Sequence, residues 1–302
     1  MSKTKLGFLG LGHMGSGMAR SLLRAGFPLV VYDPITQMMQ SLEKEGASTA
    51  RSPREVAERA QVVLSSLPMP ADVEAAALGP NGLIEGFTAG KTYIDLSTID
   101  PITSRRVNEA LAAKGVRMLD CPVGKGPAEA ARGELTLMVG GDAAVLDEMR
   151  EVLSALGSPI LHCGPAGAGA AAKVVNNLVS CSLVALNAEA LVLAAKSGVD
   201  LDVMCEIMKT TAADNRHLRI TSEPLTLEGN FAPRFKLALA RKDLGLAMQL
   251  GVQMGVPTPV AAASRVMHDV ALGMGLADED QGAVIKAVEQ AAGAVARRRK
   301  KA

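Results

Sequence analysis

Residues 5–24, KLGFLGLGHMGSGMARSLLR, decide the fold of this chain. A short apolar run leads into glycines in the spacing G-x-G-x-x-G, and an amphipathic helical pattern follows. Strand, glycine turn and helix in this order form the context in which the motif binds a dinucleotide, with the backbone close to the pyrophosphate and helix N–H groups facing the phosphates. The predicted cofactor-binding residues are Gly10, Leu11, Gly12, His13, Met14 and Gly15.

Asp33 supplies the second half of this fingerprint. It ends an apolar run, 27–32, that predicts a second strand, and a carboxylate about 20 residues after the glycines meets the ribose hydroxyls. Such a carboxylate favours NAD because it bonds the 2′-hydroxyl and repels a 2′-phosphate. NADP stays as the alternative cofactor, since Lys44 or Arg51 could fold towards a phosphate. The other interpretation of Asp33 is a cap of the next helix.

The composition indicates an intracellular protein of two domains. A chain of 302 residues exceeds the size at which single cores stop growing. A formal net charge of +1 gives no support to a nucleic-acid or acidic-lipid partner. The four cysteines lack metal-ligand spacing, so we expect reduced thiols, no metal and a cytoplasmic location. MSKTK leads straight into the first strand, which predicts no secretory signal.

The first half alternates short apolar runs with helical patterns. This alternation predicts an α/β fold with a Rossmann-type, mostly parallel sheet over residues 1–164. Such a sheet binds ligands at the carboxyl ends of its strands. The predicted strands are Leu6–Leu9, Leu29–Tyr32, Val62–Ser65, Thr92–Asp95, Arg117–Asp120, 135–139 and 160–162.

The second half lacks β-type alternation. After a Gly/Pro break at 164–169, a long helical pattern covers 170–195. Further helices are predicted at 201–209, Leu237–Met254, 260–274 and 281–297. Residues 165–302 are therefore predicted to form an all-α domain for substrate binding and oligomerisation, joined to the first by the long helix. Polar residues within that helix argue against a membrane span. The basic run that begins at Arg297 is interpreted as solvated, with a nucleic-acid or membrane arm as the alternative.

Three segments follow strands and are therefore candidates for the chemistry. Leu67 and Pro68 follow the third strand and should lie over the nucleotide. Ser97 and Thr98 follow the fourth. Residues 120–127, DCPVGKGP, follow the fifth, and their glycines suit a loop that offers backbone N–H groups and one cation to a small anion. A surface turn with a solvated lysine explains the same residues equally well.

Lys173 and Asn177 lie four residues apart in the long helix and therefore share a face. Burial would favour an acid/base role for the amine, and the amide could position a substrate oxygen. On these residues alone, a snorkelling lysine and an asparagine bonded to the backbone are the commoner outcome.

The chain as a whole resembles the β-hydroxyacid dehydrogenase family. The resemblance is carried, in order, by GFLGLGHMGSGMA, DLST at 95–98, DCPVGKGPAEAARGELTLMVGG at 120–141, GAGAAAKVVNN at 167–177 and RKDLGLA at 241–247. It implies that Lys173 is the catalytic acid/base and that Asn177 holds the substrate. It also implies that Ser97 and Thr98 border nicotinamide and substrate, that Lys242 lies close to the nicotinamide, and that the protein is a homodimer or homotetramer.

One departure from the family bears on the substrate. The usual loop reads P-V-S-G-G, whereas this chain has Gly124, Lys125 and Gly126 after Pro-Val. A cation favours a larger or more highly charged anion through charge-assisted hydrogen bonds, and the sulfolactaldehyde reductase branch also has a basic residue here. We expect these three residues to bind the acid group.

The resemblance implies an NAD(P)-dependent enzyme that interconverts a small aldehyde or ketone acid and its β-hydroxy acid. Lys125 suggests a sulfonate or phosphonate on the substrate. An ordinary carboxylate substrate, of the 3-hydroxyisobutyrate, tartronate semialdehyde or succinic semialdehyde type, is the first alternative. A dinucleotide-binding protein without catalysis is the second, and the presence of both Lys173 and Asn177 weighs against it.

Overall fold

The computed structural model describes residues 3–298 and divides into two compact units at Lys173 and Val174. The N-terminal unit contains one sheet. Its strands are β1 (Leu6–Leu9), β2 (Leu29–Tyr32), β3 (Ser48–Thr49), β4 (Val62–Ser65), β5 (Thr92–Asp95), β6 (Arg117–Asp120), β7 (Val123–Gly124), β8 (Leu135–Gly140) and β9 (Gly157–Gly164). Its helices are α1 (His13–Arg24), α2 (Thr36–Lys44), α3 (Pro53–Arg59), α4 (Pro70–Leu78), α5 (Leu83–Gly86), α6 (Pro101–Ala112), α7 (Pro127–Arg132) and α8 (Ala143–Ser154).

The sheet runs in the order β3-β2-β1-β4-β5-β6-β8-β7, with β9 beside β8. Strands β1 to β6 are parallel, whereas β8 is antiparallel to both β6 and β7. Alternate side chains enter two separate cores: Leu6 and Phe8 of β1 face one, and Leu9 faces the other. Because both faces are buried, these strands carry the near-continuous apolar runs typical of parallel sheets. The predicted Rossmann-type sheet is confirmed.

The C-terminal unit is helical, as predicted. Its described elements are the rest of α9 (Ala168–Lys196), α10 (Leu201–Thr210), a π-helical segment (Leu218–Thr226), α11 (Leu237–Met254), α12 (Pro259–Gly273), a 3₁₀ turn (Gln281–Val284) and α13 (Ile285–Ala292). Helix α9 begins in the N-terminal unit and continues into this one. The division at Lys173 lies later than the domain boundary at 164 that the sequence suggested.

The end of the chain differs from its prediction. The single helix expected over 281–297 is a 3₁₀ turn followed by α13, which ends where Gly293 adopts φ +59°. Arg297 then pairs with Glu289, and Arg298 pairs with acidic residues of three segments, Asp202, Glu223 and Glu228. These two arginines are tied to the C-terminal unit rather than solvated. The rest of the basic run, 299–301, lies outside the described residues.

Helix α9 meets the length and composition of a membrane span. Half of its most apolar 18-residue window is nevertheless buried within the structure, and Lys173 and Asn177 are buried polar residues of the same helix. A core helix of a water-soluble protein has these properties too, so they are weak evidence for a span.

Candidate active site

The glycine turn after β1 has the geometry that the fingerprint requires. Gly10 adopts φ +81°, and a Cβ there would lie 2.4 Å from the carbonyl oxygen of Ser66. A Cβ on Gly15 would lie 1.8 Å from the carbonyl oxygen of Gly10, so only glycine allows α1 to start against this turn. Leu11 and Gly15 are buried, Met14 is half-buried, and Gly12 and His13 are exposed.

The start of α1 fits a bound pyrophosphate. Gly12 is the N-cap and brings no capping side chain, and the first turn of α1 carries no acidic residue. A Cβ on Gly12 would meet nothing within 4 Å, so the backbone faces open space here. Helix N–H groups and the helix dipole favour a phosphate at such an end. The residues present therefore fit a dinucleotide.

Asp33 is tied to the glycine turn. Its carboxylate accepts hydrogen bonds from the N–H of Leu11 and of Ile35, each at 2.8 Å, and the residue is buried. Helix α2 begins at Thr36 with Ile35 as its N-cap, so Asp33 is not the helix cap that the alternative required. A carboxylate has four lone-pair sites. Asp33 thus keeps acceptor capacity for ribose hydroxyls, and that contact stays a prediction.

A buried network joins the loops after β4 and β5. Asp95 Oδ1 accepts hydrogen bonds from the Ser65 hydroxyl at 2.8 Å and from the N–H of Ser97 at 3.1 Å. The Ser97 hydroxyl in turn accepts the N–H of Leu67 at 2.9 Å. The side chain of Ser97 therefore holds the loop after β4 by a hydrogen bond. Next to these residues in the chain, Pro68 is exposed and Thr98 is half-buried. Sequence reasoning missed Asp95 as the residue that organises both loops.

Burial raises the pKa of Asp95 from its usual 3.8 to about 6, against the opposing effect of its hydrogen bonds to Ser97 and Ser65. Because the folded pKa lies above the unfolded one, the carboxyl's contribution to stability is full below the unfolded pKa and is lost as pH rises through 6. We expect Asp95→Asn, which keeps an amide oxygen for Ser65 and Ser97, to gain about 2 kcal/mol relative to wild type between pH 4 and 7. Urea unfolding across this pH range measures the difference, and parallel curves for the two proteins would contradict it.

Part of the segment predicted as an anion-binding loop is a β-strand. Val123 and Gly124 form β7 against β8. Lys125 adopts φ +75°, in the left-handed region that favours glycine, and its Nζ donates to the carbonyl oxygen of Glu134 at 2.5 Å. The N–H of Gly126 donates to Glu129 Oε2 at 3.1 Å. Two of the groups expected to bind an anion are therefore already engaged within the protein.

Lys173 and Asn177 lie one turn apart on α9, and both are buried. The snorkelling lysine expected from residues alone is thus not found. Asn177 Oδ1 accepts a hydrogen bond from Asn176 Nδ2 at 3.1 Å, and its Nδ2 donates to Asp243 Oδ2 at 2.5 Å. The orientation of the amide is consequently fixed by side chains.

Asp243 follows Lys242 on α11, within the C-terminal unit. It is 1 % exposed, and Lys242 Nζ lies 3.0 Å from its Oδ1 as an ion pair rather than a directed hydrogen bond. The predicted residue Lys242 is therefore joined to Asn177 through this carboxylate. Sequence reasoning missed Asp243, although a carboxylate directly after Lys242, followed by the apolar end of RKDLGLA, was a signal that could have found it.

Among residues 3–298, no group of three or more His, Cys, Asp or Glu side chains is placed to hold a metal ion. The same part of the chain contains no disulfide.

Comparisons with known proteins match nearly the whole chain. Residues 5–164 match a family model described as the NAD binding domain of 6-phosphogluconate dehydrogenase, and residues 167–288 match one described as NAD-binding of NADP-dependent 3-hydroxyisobutyrate dehydrogenase. The chain is 36% identical to the 3-sulfolactaldehyde reductase of Escherichia coli (97% of this chain, 98% of that protein). It is 40% identical to the 3-hydroxyisobutyrate dehydrogenase of Pseudomonas aeruginosa (87% and 90%).

A solved structure agrees with these matches. Mycobacterium tuberculosis 3-hydroxyisobutyrate dehydrogenase with L-serine superposes with a TM-score of 0.87 at 32% identity, covering 94% of this chain and 99% of that one. The N-terminal unit is thereby identified as a domain that binds NAD or NADP.

Proposed function

The chain belongs to the β-hydroxyacid dehydrogenase family, and from that premise we propose that it interconverts a small aldehyde or ketone acid and its β-hydroxy acid, with Lys173 as the general acid/base. It is an NAD(P)-dependent oxidoreductase that acts on CH–OH groups. The observation that carries the proposal is the burial of Lys173 and Asn177 on one face of α9, downstream of a complete dinucleotide fingerprint.

The proposed chemistry assigns each residue one task. The glycine turn and Asp33 would hold the cofactor, which would supply the hydride for reduction of the carbonyl carbon and accept it in the reverse direction. Lys173 Nζ gives its proton to the carbonyl oxygen during reduction and takes it back during oxidation. Asn177, whose amide is held by Asp243 and Asn176, uses the second N–H of its Nδ2 to hold a substrate oxygen. Proton transfer by a positioned side chain contributes about 10²–10⁴-fold to the rate.

We propose that the loop from Gly124 to Gly126 selects the acid group of the substrate, with Lys125 favouring a sulfonate or phosphonate. A non-glycine residue at φ +75° costs of order 1 kcal/mol, and a binding role explains why lysine occupies a position that suits glycine. The relative named 3-sulfolactaldehyde reductase supports this choice. The carboxylate alternative is favoured by the bond from Lys125 to Glu134 and by the relative named 3-hydroxyisobutyrate dehydrogenase.

Three aldehydes of formula OHC–CH₂–X, with X a carboxylate, sulfonate or phosphonate, separate these candidates. We expect wild type to prefer the sulfonate or phosphonate in kcat/KM, and Lys125→Ser to reduce that preference about tenfold or more, because a hydrogen bond to a charged group contributes about 1.5–3 kcal/mol. Lys114→Ser is the matched control, since Lys114 also donates to a backbone carbonyl, that of Ile84, at 2.8 Å.

Lys125→Gly, assayed with the same three aldehydes, distinguishes loss of the lysine amine from loss of protein stability. Glycine adopts φ +75° without strain, so this variant should lose the preference while its free energy of unfolding does not fall. A wild-type preference for the carboxylate that Lys125→Ser leaves unchanged would remove the enlarged-anion proposal and leave the carboxylate substrate. Failure of all three aldehydes to react would count against both.

Asp33 predicts the choice of cofactor. Its carboxylate should favour NADH over NADPH in kcat/KM by at least about tenfold, which corresponds to about 1.4 kcal/mol. Asp33→Asn removes the charge repulsion of a 2′-phosphate and keeps an oxygen that accepts the N–H of Leu11. We expect this variant to lower the ratio of kcat/KM for NADH to that for NADPH. Steady-state kinetics with both cofactors measure this. A wild-type preference for NADPH would show that a cation, such as the side chain of Lys44 or Arg51, recognises the 2′-phosphate instead.

We also propose that the protein works in the cytoplasm as a homodimer or homotetramer. This extends the expectation from the family, and the lack of disulfides in the described residues is compatible with a reducing compartment. Analytical ultracentrifugation of the purified chain measures the oligomeric state.

A further inference from the structure

A buried carboxylate holds the start of the helix that carries Lys173. Asp120 lies at the end of β6 and is 3 % exposed. Its Oδ1 accepts the N–H of Gly167 at 2.7 Å, and its Oδ2 accepts the N–H of Ala170 at 2.8 Å. Gly167 directly precedes α9, and Ala170 belongs to its first turn. One side chain therefore satisfies two N–H groups at this helix end, where they have no partner within the helix.

The backbone packs tightly around these bonds. A Cβ on Gly140 would lie 2.6 Å from Asp120 Oδ1 and 2.6 Å from the N–H nitrogen of Gly169. A Cβ on Gly169 would lie 2.4 Å from the carbonyl oxygen of Met138 and 2.6 Å from that of Asp120. The ends of β6 and β8 and the first turn of α9 are thus in direct backbone contact. Such a junction leaves the start of the helix little freedom to shift.

We propose that Asp120 is a positioning residue for the reaction: its carboxylate fixes the first turn of α9 and thereby the place of the Lys173 amine. Lys173 follows Ala170 by three residues, so the two lie on adjacent turns of one face. All the residues of this argument belong to the N-terminal unit, which also carries the dinucleotide fingerprint. The inference rests on the proposed acid/base function of Lys173.

The electrostatics of Asp120 are consistent with such a role. Burial raises the pKa of this carboxyl, and the N–H groups of Gly167 and Ala170 oppose the rise. A buried carboxylate is costly unless it is hydrogen-bonded, and here the helix dipole adds a favourable interaction at the N-terminus. The position of the Asp120 carboxylate and its negative charge therefore both stabilise the start of α9.

Asp120→Asn tests the proposal, because asparagine keeps the shape but turns an N–H₂ group towards one of the two N–H donors. We expect kcat for reduction of the preferred aldehyde to fall about 10–100-fold, as for a reacting group displaced by about 1 Å. The Kd for NADH, from titration of its fluorescence, should stay unchanged. The primary isotope effect with 4-deuterated NADH should rise, and amide exchange in the apo protein should speed up over 167–173.

Asp142→Asn is the matched control, since Asp142 caps α8 through the N–H groups of Ala144 and Val145. It should speed exchange at the start of α8 and leave kcat and the isotope effect unchanged. If Asp120→Asn does not fold, Asp120→Ser, which retains one acceptor, replaces it.

The outcomes separate the two proposals. A normal kcat and isotope effect in Asp120→Asn, together with loss of turnover in Lys173→Met, would overturn the positioning role alone. A normal kcat in Lys173→Met would overturn the proposed function of the lysine, and the positioning role with it.

Discussion

Replacing Lys173 with methionine should lower kcat by about 10²–10⁴-fold, the contribution typical of a positioned acid/base group. Methionine keeps most of the apolar length of the side chain and removes the ionisable amine. Because Lys173 is 9 % exposed, bulk water has little access to replace its proton transfer. We therefore expect the loss in kcat with the preferred aldehyde, with no compensating change in KM.

The cofactor site should survive this substitution. The glycine turn, Asp33 and the start of α1 do not involve Lys173 in any contact described above, so the Kd for NADH should remain that of wild type. Lys196→Met, in the last turn of the same helix, is the matched control: Lys196 is exposed and donates to the carbonyl oxygen of Ala292 at 2.6 Å. The kcat of Lys196→Met should equal that of wild type. A wild-type kcat in Lys173→Met would assign the proton transfer to another group.

Five parallel strands, β1, β2, β4, β5 and β6, were predicted with their observed bounds, whereas β9 (Gly157–Gly164) extends beyond the predicted 160–162. A strand that is covered on both sides has an apolar centre that the sequence reveals, although β5 and β6 begin with Thr92 and Arg117 and end with Asp95 and Asp120. The two-residue strands β3 and β7 carry no such signal, since few side chains are involved. Their pairing depends on distant partners, for β7 on Thr136 and Leu137.

Local signals also explain what was missed among the helices of both units. The pattern over 281–297 is amphipathic, but Gly293 at φ +59° ends α13 early. The short helices after Gly126 and Gly82 lack the length that a period of 3.6 residues needs to be recognised. Among the longer helices of the C-terminal part, α11 (Leu237–Met254) was predicted with its observed bounds, and α9, α10 and α12 were predicted to within two residues at each end.

The residues of the candidate site were predictable where they belong to a sequence motif. They were not predictable where their hydrogen-bond partners come from distant parts of the chain. The glycines and Asp33 follow from the fingerprint, and their geometry agrees with it. The composition of the loop did not predict the hydrogen bond from Lys125 to the carbonyl oxygen of Glu134. Asp95, Asp120 and Asp243 lie in segments that the sequence singled out but received no role there, for a common reason: each is a buried carboxylate whose importance lies in the N–H groups and side chains that the fold brings to it.

Removal of the Asp243 side chain should have the largest effect on stability. Asp243→Ala deletes a carboxylate that is 1 % exposed, accepts a hydrogen bond from Asn177 at 2.5 Å and pairs with Lys242 at 3.0 Å. Breaking a buried pair by removing one partner costs about 3–5 kcal/mol, because a buried charge loses its compensation. Urea unfolding at pH 7 should show a loss of this size.

Asp269→Ala provides the matched control on the neighbouring helix α12. Asp269 pairs with Arg241 at 2.6 Å but is 43% exposed, and exposed pairs contribute about 0–1 kcal/mol. The contrast between the two alanine variants isolates burial, since both remove an aspartate paired with a cation of α11. A loss in Asp243→Ala no larger than in Asp269→Ala would mean that solvent reaches the site and compensates Lys242.

Asp243→Asn then separates charge from orientation. Its amide oxygen can still accept the Asn177 N–H, whereas the negative charge beside Lys242 is gone. If the carboxylate serves Asn177 by fixing its amide, Asp243→Asn should keep most of the kcat/KM that Asp243→Ala loses, although its stability falls as well. An Asn variant as inactive as the alanine variant would instead mean that catalysis needs the charge next to Lys242, and Lys242 rather than Asn177 would become the residue through which Asp243 acts.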